Sequence, residues 1–246
     1  MVIRVRDVND NAPTFERSEY KIELNENADI NRPIMSLPAR DFDISAENSL
    51  IMYRTEGNNS KFKVCNNTGK QFNEFSYVAR EDKSLRWSLF AGELLVHGIL
   101  DYESMKEHYI TVIAYNPVRP MLSSSVSVLV SLLDVNDERP SIDVYTTSAD
   151  NVAVVTEHSH VGTFVAHLVV ADGDATAPNN DAYCDTNSTE FALTPLFDME
   201  YSLSVAVDID REAGGPQTTA IVTCRDLGQP ALETHTMIQV SVSMGG

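Results

Sequence analysis

The chain has 246 residues, enough for one large domain or two ordinary ones, and its hydrophobic fraction of 43% suits packed cores rather than a disordered polymer. Its 36 acidic residues outnumber its 18 Lys and Arg residues, so the formal net charge is -18 and nucleic acid or an anionic membrane is a poor partner. An excess of carboxylates fits either a solvated surface or hard cations such as calcium.

Alternating apolar and polar residues predict β-strands along the chain. Tyr20, Ile22 and Leu24 alternate with Lys and Glu, and the same period of two recurs at 126–132 and 238–242. This period marks strands with one face on a core and the other in water. Because long helical periodicity is absent and Pro, Gly, Asn and Asp separate the short strands, we predict an all-β fold of antiparallel sandwiches.

The chain also repeats itself. The acidic motifs recur in the same order in both halves, as Asp-Val-Asn-Asp at 7–10 and 134–137, Glu26 and Glu157, Asp-x-Asp at 41–43 and 172–174, and Asp-x-Glu at 101–103 and 210–212. The stretch between the last two motifs is longer in the first copy, which predicts an insertion within residues 44–100. Strand-like residues follow Met1 at once, and the chain stops where a third linker motif is due. We therefore expect a fragment cut at repeat boundaries.

The repeated acids do not indicate an enzyme. The sequence has no Gly-x-Ser-x-Gly, His-Glu-x-x-His or Gly-rich phosphate loop. A catalytic carboxylate pair has no reason to be copied at matching boundary positions of two repeats. We therefore predict that the chain is not an enzyme.

The pattern of acids favours calcium. This ion takes six to eight oxygen ligands from carboxylates, amide side chains and backbone carbonyls. Loop residues of a sandwich converge at its two ends, and carboxylates crowded there repel one another unless cations lie between them. Calcium is therefore the predicted ligand of the acidic motifs.

The combined motifs resemble the cadherin superfamily. They are Asp-Val-Asn-Asp-Asn-Ala-Pro at 7–13, Asp-Val-Asn-Asp-Glu-Arg-Pro at 134–140, Asp-Ile-Asp-Arg-Glu at 208–212, the two Asp-x-Asp motifs, and Cys-Arg-Asp-Leu-Gly at 224–228. The resemblance implies two tandem seven-stranded Greek-key β-sandwich cadherin repeats joined by a calcium-binding linker. It divides the chain into the linker end of a preceding repeat (1–12), a repeat with the insertion (13–137) and a second repeat (138–246).

The resemblance also implies ligands. For three calcium ions at the central junction they are the side chains of Glu26, Asp101, Glu103, Asp134, Asn136, Asp137, Asp172, Asp174 and Asp226, and the carbonyls of Val135, Glu138 and Asn180. At the amino-terminal end, one ion can be held by Asn9, Asp41, Asp43 and Asn116 with the carbonyls of Asn11 and Asn48. Asn116 stands where the family has Asp, which should weaken that site. At the far end, Glu157, Asp210 and Glu212 lack their linker partner.

The second repeat is similar to protocadherins more narrowly, through residues 162–166, 183–184, 191–193 and 201–203. This similarity implies the third and fourth extracellular repeats of that branch, whose first four repeats pair antiparallel between cells. We therefore expect calcium-dependent cell–cell adhesion by the extracellular part of a plasma-membrane protein, with another cadherin molecule as the homophilic partner in trans. The alternative is a receptor or tether, in which the repeats are spacers or bind a different protein.

The cysteines and possible glycans add detail. The family layout puts Cys184 and Cys224 on neighbouring strands, where two buried free thiols are the commoner outcome and a cross-strand disulfide is the alternative. Cys65 lies in the predicted insertion, where it can be exposed and pair between chains. N-glycosylation sequons at 58–60, 66–68 and 187–189 fit an extracellular glycoprotein.

Overall fold

The chain forms two compact units in a computed structural model, the first spanning residues 1–133 and the second 134–246. The structure describes residues 2–57, 59–66, 91–148 and 152–245. Within these ranges each unit consists of two four-stranded sheets. The predicted repeat limits, with the first repeat ending at residue 137, stay a prediction.

The first unit contains eight strand segments among its described residues: β1 (Thr14–Phe15), β2 (Glu19–Asn25), β3 (Pro33–Arg40), β4 (Met52–Thr55), β5 (Phe62–Asn66), β6 (Ala91–Val96), β7 (Glu107–Tyr115) and β8 (Ser123–Leu133). One sheet has the order β1-β3-β6-β5 and the other β2-β8-β7-β4. Strand β2 runs parallel to β8, and the other pairs are antiparallel.

The second unit repeats this topology in its described residues, with β9 (Ser141–Tyr145), β10 (Ala153–Thr156), β11 (Phe164–Ala171), β12 (Ala182–Thr186), β13 (Phe191–Phe197), β14 (Glu200–Val205), the short helix α1 (Arg211–Gly214), β15 (Gln217–Asp226) and β16 (Glu233–Ser243). Its sheets have the orders β9-β11-β14-β13 and β10-β16-β15-β12, and β10 is parallel to β16. In each unit the first strand is split into two segments, one in each sheet. The predicted all-β pair of seven-stranded sandwiches is therefore confirmed, with the first strand shared between sheets.

Each unit has its own hydrophobic core between its two sheets. On β8, Val126, Val128 and Val130 are buried, while the residues between them are exposed or half-buried. The same holds on β16 for Val240 and Val242. The period of two in the sequence therefore identified the inward faces of these strands correctly.

A disulfide joins Cys184 of β12 to Cys224 of β15. The expectation that two buried free thiols are the commoner outcome is therefore wrong for this pair. The residues lie opposite each other in the antiparallel register, with Cα atoms 4.1 Å apart. The Cys184 N–H donates to the Tyr201 hydroxyl at 3.0 Å, which fits a close pair without a hydrogen bond between the two backbones. The third cysteine, Cys65, is free and only half-buried, in β5.

The predicted insertion falls partly on residues 67–90, which lie outside the described residues, as do Asn58 of one sequon and the last two residues of the next. Asn187 of the third sequon is exposed after β12. Within the described part of the chain, no helix has the length and apolar character needed to cross a membrane.

Two equivalent leucines allow the separate cores to be tested. Leu94 of β6 and Leu203 of β14 are both fully buried. Leu203→Ala should cost about 2–5 kcal/mol, because it removes buried methyl groups and leaves a cavity. Hydrogen exchange resolved by peptide should then accelerate in residues 134–246, whereas Leu94→Ala should accelerate it in residues 1–133. The exposed Met237→Ala is the control, and equal acceleration of both units by Leu203→Ala would contradict separate cores.

Candidate metal centre

Three segments of the second unit meet at one end of its sandwich. They are the stretch that precedes β9 (134–138), the β11–β12 loop (172–181) and the β15–β16 loop (227–232) with the last residue of β15. Hydrogen bonds between the first segment and the other two hold them together. The acidic and amide side chains of these segments form what we call the second-unit cluster: Asp134, Asn136, Asp172, Asp174 and Asp226.

Asp134 is held by the β11–β12 loop through one carboxylate oxygen. Its Oδ2 accepts from the Thr176 N–H at 3.1 Å and from Asn179 Nδ2 at 3.2 Å, and the Thr176 hydroxyl also donates to it. Its Oδ1 is buried and has no hydrogen-bond partner among the described residues. Half of this carboxylate therefore fixes the segment, and the other half is left without a donor.

Asn136 is oriented in the same way. Its Nδ2 donates to Asp226 Oδ2 at 3.2 Å and to the Pro230 carbonyl at 2.8 Å. Its Oδ1 therefore points away from these acceptors, and it is buried without a donor in the described chain. A Cβ at Gly228 would lie 2.1 Å from this oxygen, so only glycine permits this close approach.

The Asp-x-Asp pair completes the cluster. The Asp174 N–H donates to Asp172 Oδ1 at 3.0 Å, and the Glu138 N–H donates to Asp174 Oδ1 at 3.3 Å. The Oδ2 atom of each aspartate is buried, with no donor among the described residues. Burial raises the pKa of Asp172 and of Asp174 above the usual 3.8, and the neighbouring carboxylates raise both further.

Four buried oxygens of the second-unit cluster thus lack a donor among the described residues: Asp134 Oδ1, Asn136 Oδ1, Asp172 Oδ2 and Asp174 Oδ2. A buried acceptor left unpaired costs about 1–3 kcal/mol, and more when it is charged. Carboxylate and amide oxygens are the ligands that calcium prefers. The residues present therefore fit a calcium ion, which would satisfy these oxygens and reduce the repulsion among the carboxylates.

Three further predicted ligands, Glu26, Asp101 and Glu103, lie near one another within the first unit. Glu26, directly after β2, is buried and accepts from the Tyr102 N–H at 2.5 Å, which brings it to the 101–103 motif. Asp101 accepts from the Ser104 hydroxyl and from the Ser104 N–H, and these hydrogen bonds, the hydroxyl first, lower its pKa. That Glu26, Asp101 and Glu103 ligate the same ions as the second-unit cluster stays a prediction. So do the roles of Asp137 and of the carbonyls of Val135, Glu138 and Asn180.

The predicted amino-terminal residues also come together, and Asp7 joins them. We call this group the first-unit cluster: Asp7, Asn9, Asn11, Asp41, Asp43, Asn48 and Asn116. Asn9 Nδ2 donates to Asn116 Oδ1 at 3.1 Å, and the Asp43 N–H donates to Asp41 Oδ1 at 2.9 Å. Burial raises the pKa of Asp41, as it does for its counterpart Asp172.

Asp7 is a member of this cluster that the sequence analysis missed. It accepts from the backbone N–H of Ser45 at 2.9 Å and from Asn48 Nδ2 at 2.8 Å, and these bonds, the Ser45 N–H first, lower its pKa to about 2. Asp134 is held in the same manner by Thr176 and Asn179. The match of the 7–10 motif to the 134–137 motif was the signal that could have found it.

At the far end of the second unit, the predicted ligands Glu157 and Asp210 accept hydrogen bonds from backbone N–H groups. Glu157 Oε1 accepts from the Gly245 N–H at 2.7 Å, and Glu157 Oε2 is buried with no partner in the described residues. Asp210 caps α1 by accepting from the backbone N–H groups of Glu212 and Ala213 at 2.8 and 3.1 Å. The metal role of Glu157, Asp210 and Glu212 stays a prediction.

Comparison with known proteins assigns the family. The cadherin domain family matches residues 20–133. Protocadherin alpha-2 of Pan troglodytes is 30% identical over 250 residues, and protocadherin alpha-6 of Homo sapiens is 32% identical over 244 residues, each alignment covering 99% of this chain. The chain spans 23% of the length of each of these relatives.

Solved structures agree with this assignment. A structure of extracellular cadherin domains 1-4 of protocadherin gamma B7 is 27% identical with a TM-score of 0.71, over 97% of this chain and 51% of that chain. EC22-24 of mouse Cadherin-23, at 22% identity, shows the fold alone, with a TM-score of 0.68 over 98% of this chain and 67% of that chain. Residues 20–133 therefore belong to the cadherin domain family. The chain as a whole is protocadherin-like, as residues 162–166 and 201–203 predicted. Cadherins and protocadherins are adhesion proteins rather than enzymes.

The raised pKa values of Asp172 and Asp174 predict how calcium binding depends on pH. In the metal-free chain these carboxyls take up protons at a pH above the usual 3.8, and calcium has to displace those protons. Calcium affinity should therefore fall as the pH is lowered from neutral through the raised pKa values of these two carboxyls, and binding should release protons in that range. Calorimetry in two buffers of different ionisation enthalpy measures both effects. An affinity that is constant over this range would contradict the assignment.

Proposed function

We propose that the chain is part of the extracellular portion of a plasma-membrane adhesion protein, in which calcium stiffens consecutive cadherin repeats. The observation that carries this proposal is the set of four buried oxygens without donors in the second-unit cluster. The cadherin domain at residues 20–133 and the similarity of the chain to protocadherins support adhesion as its role.

The mechanism follows from where the cluster residues stand in the chain. Residues 134–138 come directly after β8, the last strand of the first unit, and contribute Asp134 and Asn136 to the cluster. Calcium would bind these two side chains together with Asp172 and Asp174 of the β11–β12 loop. The connecting segment would thereby be fastened to the second unit, and bending at the connection would be reduced.

The calcium affinity needed for this role is modest. Extracellular calcium modules bind with dissociation constants of about 10⁻⁴–10⁻³ M, so they are largely filled outside cells. Calcium at about 100 times its dissociation constant would stabilise the folded state by about 2.7 kcal/mol. Because Asp172 and Asp174 have raised pKa values, their ionised forms destabilise the metal-free fold near neutral pH, and calcium would remove this penalty.

Another cadherin molecule, bound in trans, is the proposed partner. Both curated relatives described above are protocadherins, and they align with nearly all of this chain. A stiff segment presents its surface in a defined orientation, which lowers the entropy lost when two molecules pair. Calcium bound at the second-unit cluster would thus favour adhesion by making the connected repeats more rigid.

The calcium junction can be tested with one substitution. Asp174→Asn should weaken calcium binding by about tenfold or more, because it removes a charge next to the buried unpaired oxygens. The variant should also lose calcium-dependent protection from proteolysis at residues 134–140. Titration calorimetry and limited proteolysis, with and without a chelator, measure these effects. Asp185→Asn, which removes the same charge from an exposed position on β12, is the matched control. Equal affinities of the two variants would refute the assignment.

The partner can be tested by sedimentation over a range of protein concentrations. We expect self-association in millimolar calcium that disappears when calcium is chelated, because only the stiffened chain presents a fixed surface. Self-association would favour homophilic adhesion. A chain that stays monomeric at every concentration would leave open both homophilic adhesion and the alternative, in which these repeats act as spacers or bind a different protein. The Asp174→Asn variant separates the two steps, since it should fail to associate at calcium concentrations that suffice for the wild type.

A further inference from the structure

One N-glycosylation sequon lies at the rim of the second unit's sandwich. Its residues, Asn187, Ser188 and Thr189, are all described by the structure and follow β12 directly. The asparagine of Asn-x-Ser/Thr, where x is not proline, is the acceptor of N-linked glycans in secreted proteins. A folded chain can carry such a glycan where it leaves this asparagine in solvent and outside its hydrogen-bonded structure.

Asn187 meets this condition. The residue is exposed, and its side chain makes no hydrogen bond to any described residue. Ser188 is half-buried, and its Oγ accepts from the N–H groups of Glu190 and Phe191 at 3.3 Å each. Thr189 is exposed again. The two residues that define the sequon are therefore both in solvent, while the serine between them holds the loop.

The loop is also fixed at its far end. The Glu190 carbonyl accepts from the Ala206 N–H at 2.8 Å, and the Glu190 carboxylate accepts from the Thr218 hydroxyl. Phe191, the first residue of β13, is buried in the core. Because the sequon has a fixed place, a glycan attached there would cover a definite part of the surface.

That part is the outer face of the sheet with the order β10-β16-β15-β12, in which β12 is the end strand. On β12, Cys184 packs against the core, whereas Tyr183 and Asp185 are exposed on the outer face. Side chains alternate between the two faces of a strand, and Asn187 continues the exposed series. A glycan on Asn187 would therefore rise from the outer face at the open edge of this sheet.

Two large exposed side chains lie on the same outer face. Thr186 pairs with Val222, and the next residue of β15 toward the sequon, Ile221, pairs with Met237 of β16. Met237 is 73% exposed and Tyr183 is 45% exposed. Neighbouring strands are about 4.8 Å apart, so Met237, two strands from β12, lies about 10 Å across the face. A branched oligosaccharide on Asn187 would reach it.

We infer that Asn187 carries an N-linked glycan, which covers the outer face of the β10-β16-β15-β12 sheet around Met237 and keeps that face from close contact with another protein. The inference rests on the proposed extracellular location, because only chains that enter the secretory pathway receive such glycans. It does not depend on calcium, since the sequon and its loop are held by protein hydrogen bonds alone.

The chain secreted from animal cells behind a signal peptide tests the glycan site. Peptide N-glycosidase in heavy-oxygen water converts each glycosylated asparagine to a labelled aspartate, which peptide mass spectrometry assigns to its position. We expect the label at Asn187. Thr189→Ala should abolish it, because the sequon loses its hydroxyl, whereas Thr189→Ser should retain it. An unlabelled position 187 in the folded, secreted wild-type chain would overturn the inference.

The coverage of the face is tested by labelling methionine with a bulky oxaziridine reagent. Met237 should react more slowly in the glycosylated wild-type chain than in Thr189→Ala. Met121 of the first unit, which is 95% exposed, is the matched control and should react at the same rate in both chains. Equal rates at Met237 would show that the glycan leaves this face open, contrary to the inference.

The outcome stays distinct from that of the calcium proposal. The effect of Asp174→Asn on calcium affinity can be measured in the glycosylated chain and in Thr189→Ala alike. A chain that is glycosylated at Asn187 but has the same calcium affinity with and without Asp174→Asn would contradict the calcium junction and leave the glycan site standing. A chain whose calcium affinity falls as expected but which carries no label at position 187 would do the reverse.

Discussion

Buried oxygens without hydrogen-bond donors are the constraint on which the rest of the second unit depends. The loops of its sandwich bring Asp134, Asn136, Asp172 and Asp174 together, and each contributes one buried oxygen that no described donor satisfies. Such atoms are costly in a protein interior, and here most of them are charged. A divalent cation would offset this cost, and burial, which raises the pKa of Asp172 and of Asp174, disfavours the same negative charges. The loop arrangement therefore fits calcium.

The β-sandwich provides the precision that such a site requires. The strands β11 and β15 end at the cluster, and their inward faces are fixed by a core that includes Leu168 and Val222. The disulfide between Cys184 and Cys224 crosses from β12 to β15 close to where β15 ends at Asp226. Ligands carried on loops between fixed strand ends need little reorganisation when a cation binds, so more of the binding free energy is available to hold the connecting segment.

The two units show how the same scaffold can close a chain segment in two ways. In the second unit, residues 134–138 are hydrogen-bonded to loops that carry an excess of acceptors. In the first unit Asn116, Asn11 and Arg119 supply donors to the same kind of loops.

The sequence by itself determined the all-β class, the inward faces of β8 and β16, and the matching order of the acidic motifs in both units. These features are local or repeated, so alternation and motif spacing record them directly. The tertiary structure alone decided the pairing of Cys184 with Cys224, the role of Asp7 and the direction of the Asn116 amide. Each of these depends on which strands and loops become neighbours across long stretches of sequence, and on which donors reach which oxygens there. Hydrogen-bond partners are set by that three-dimensional packing, which residue periodicity does not encode.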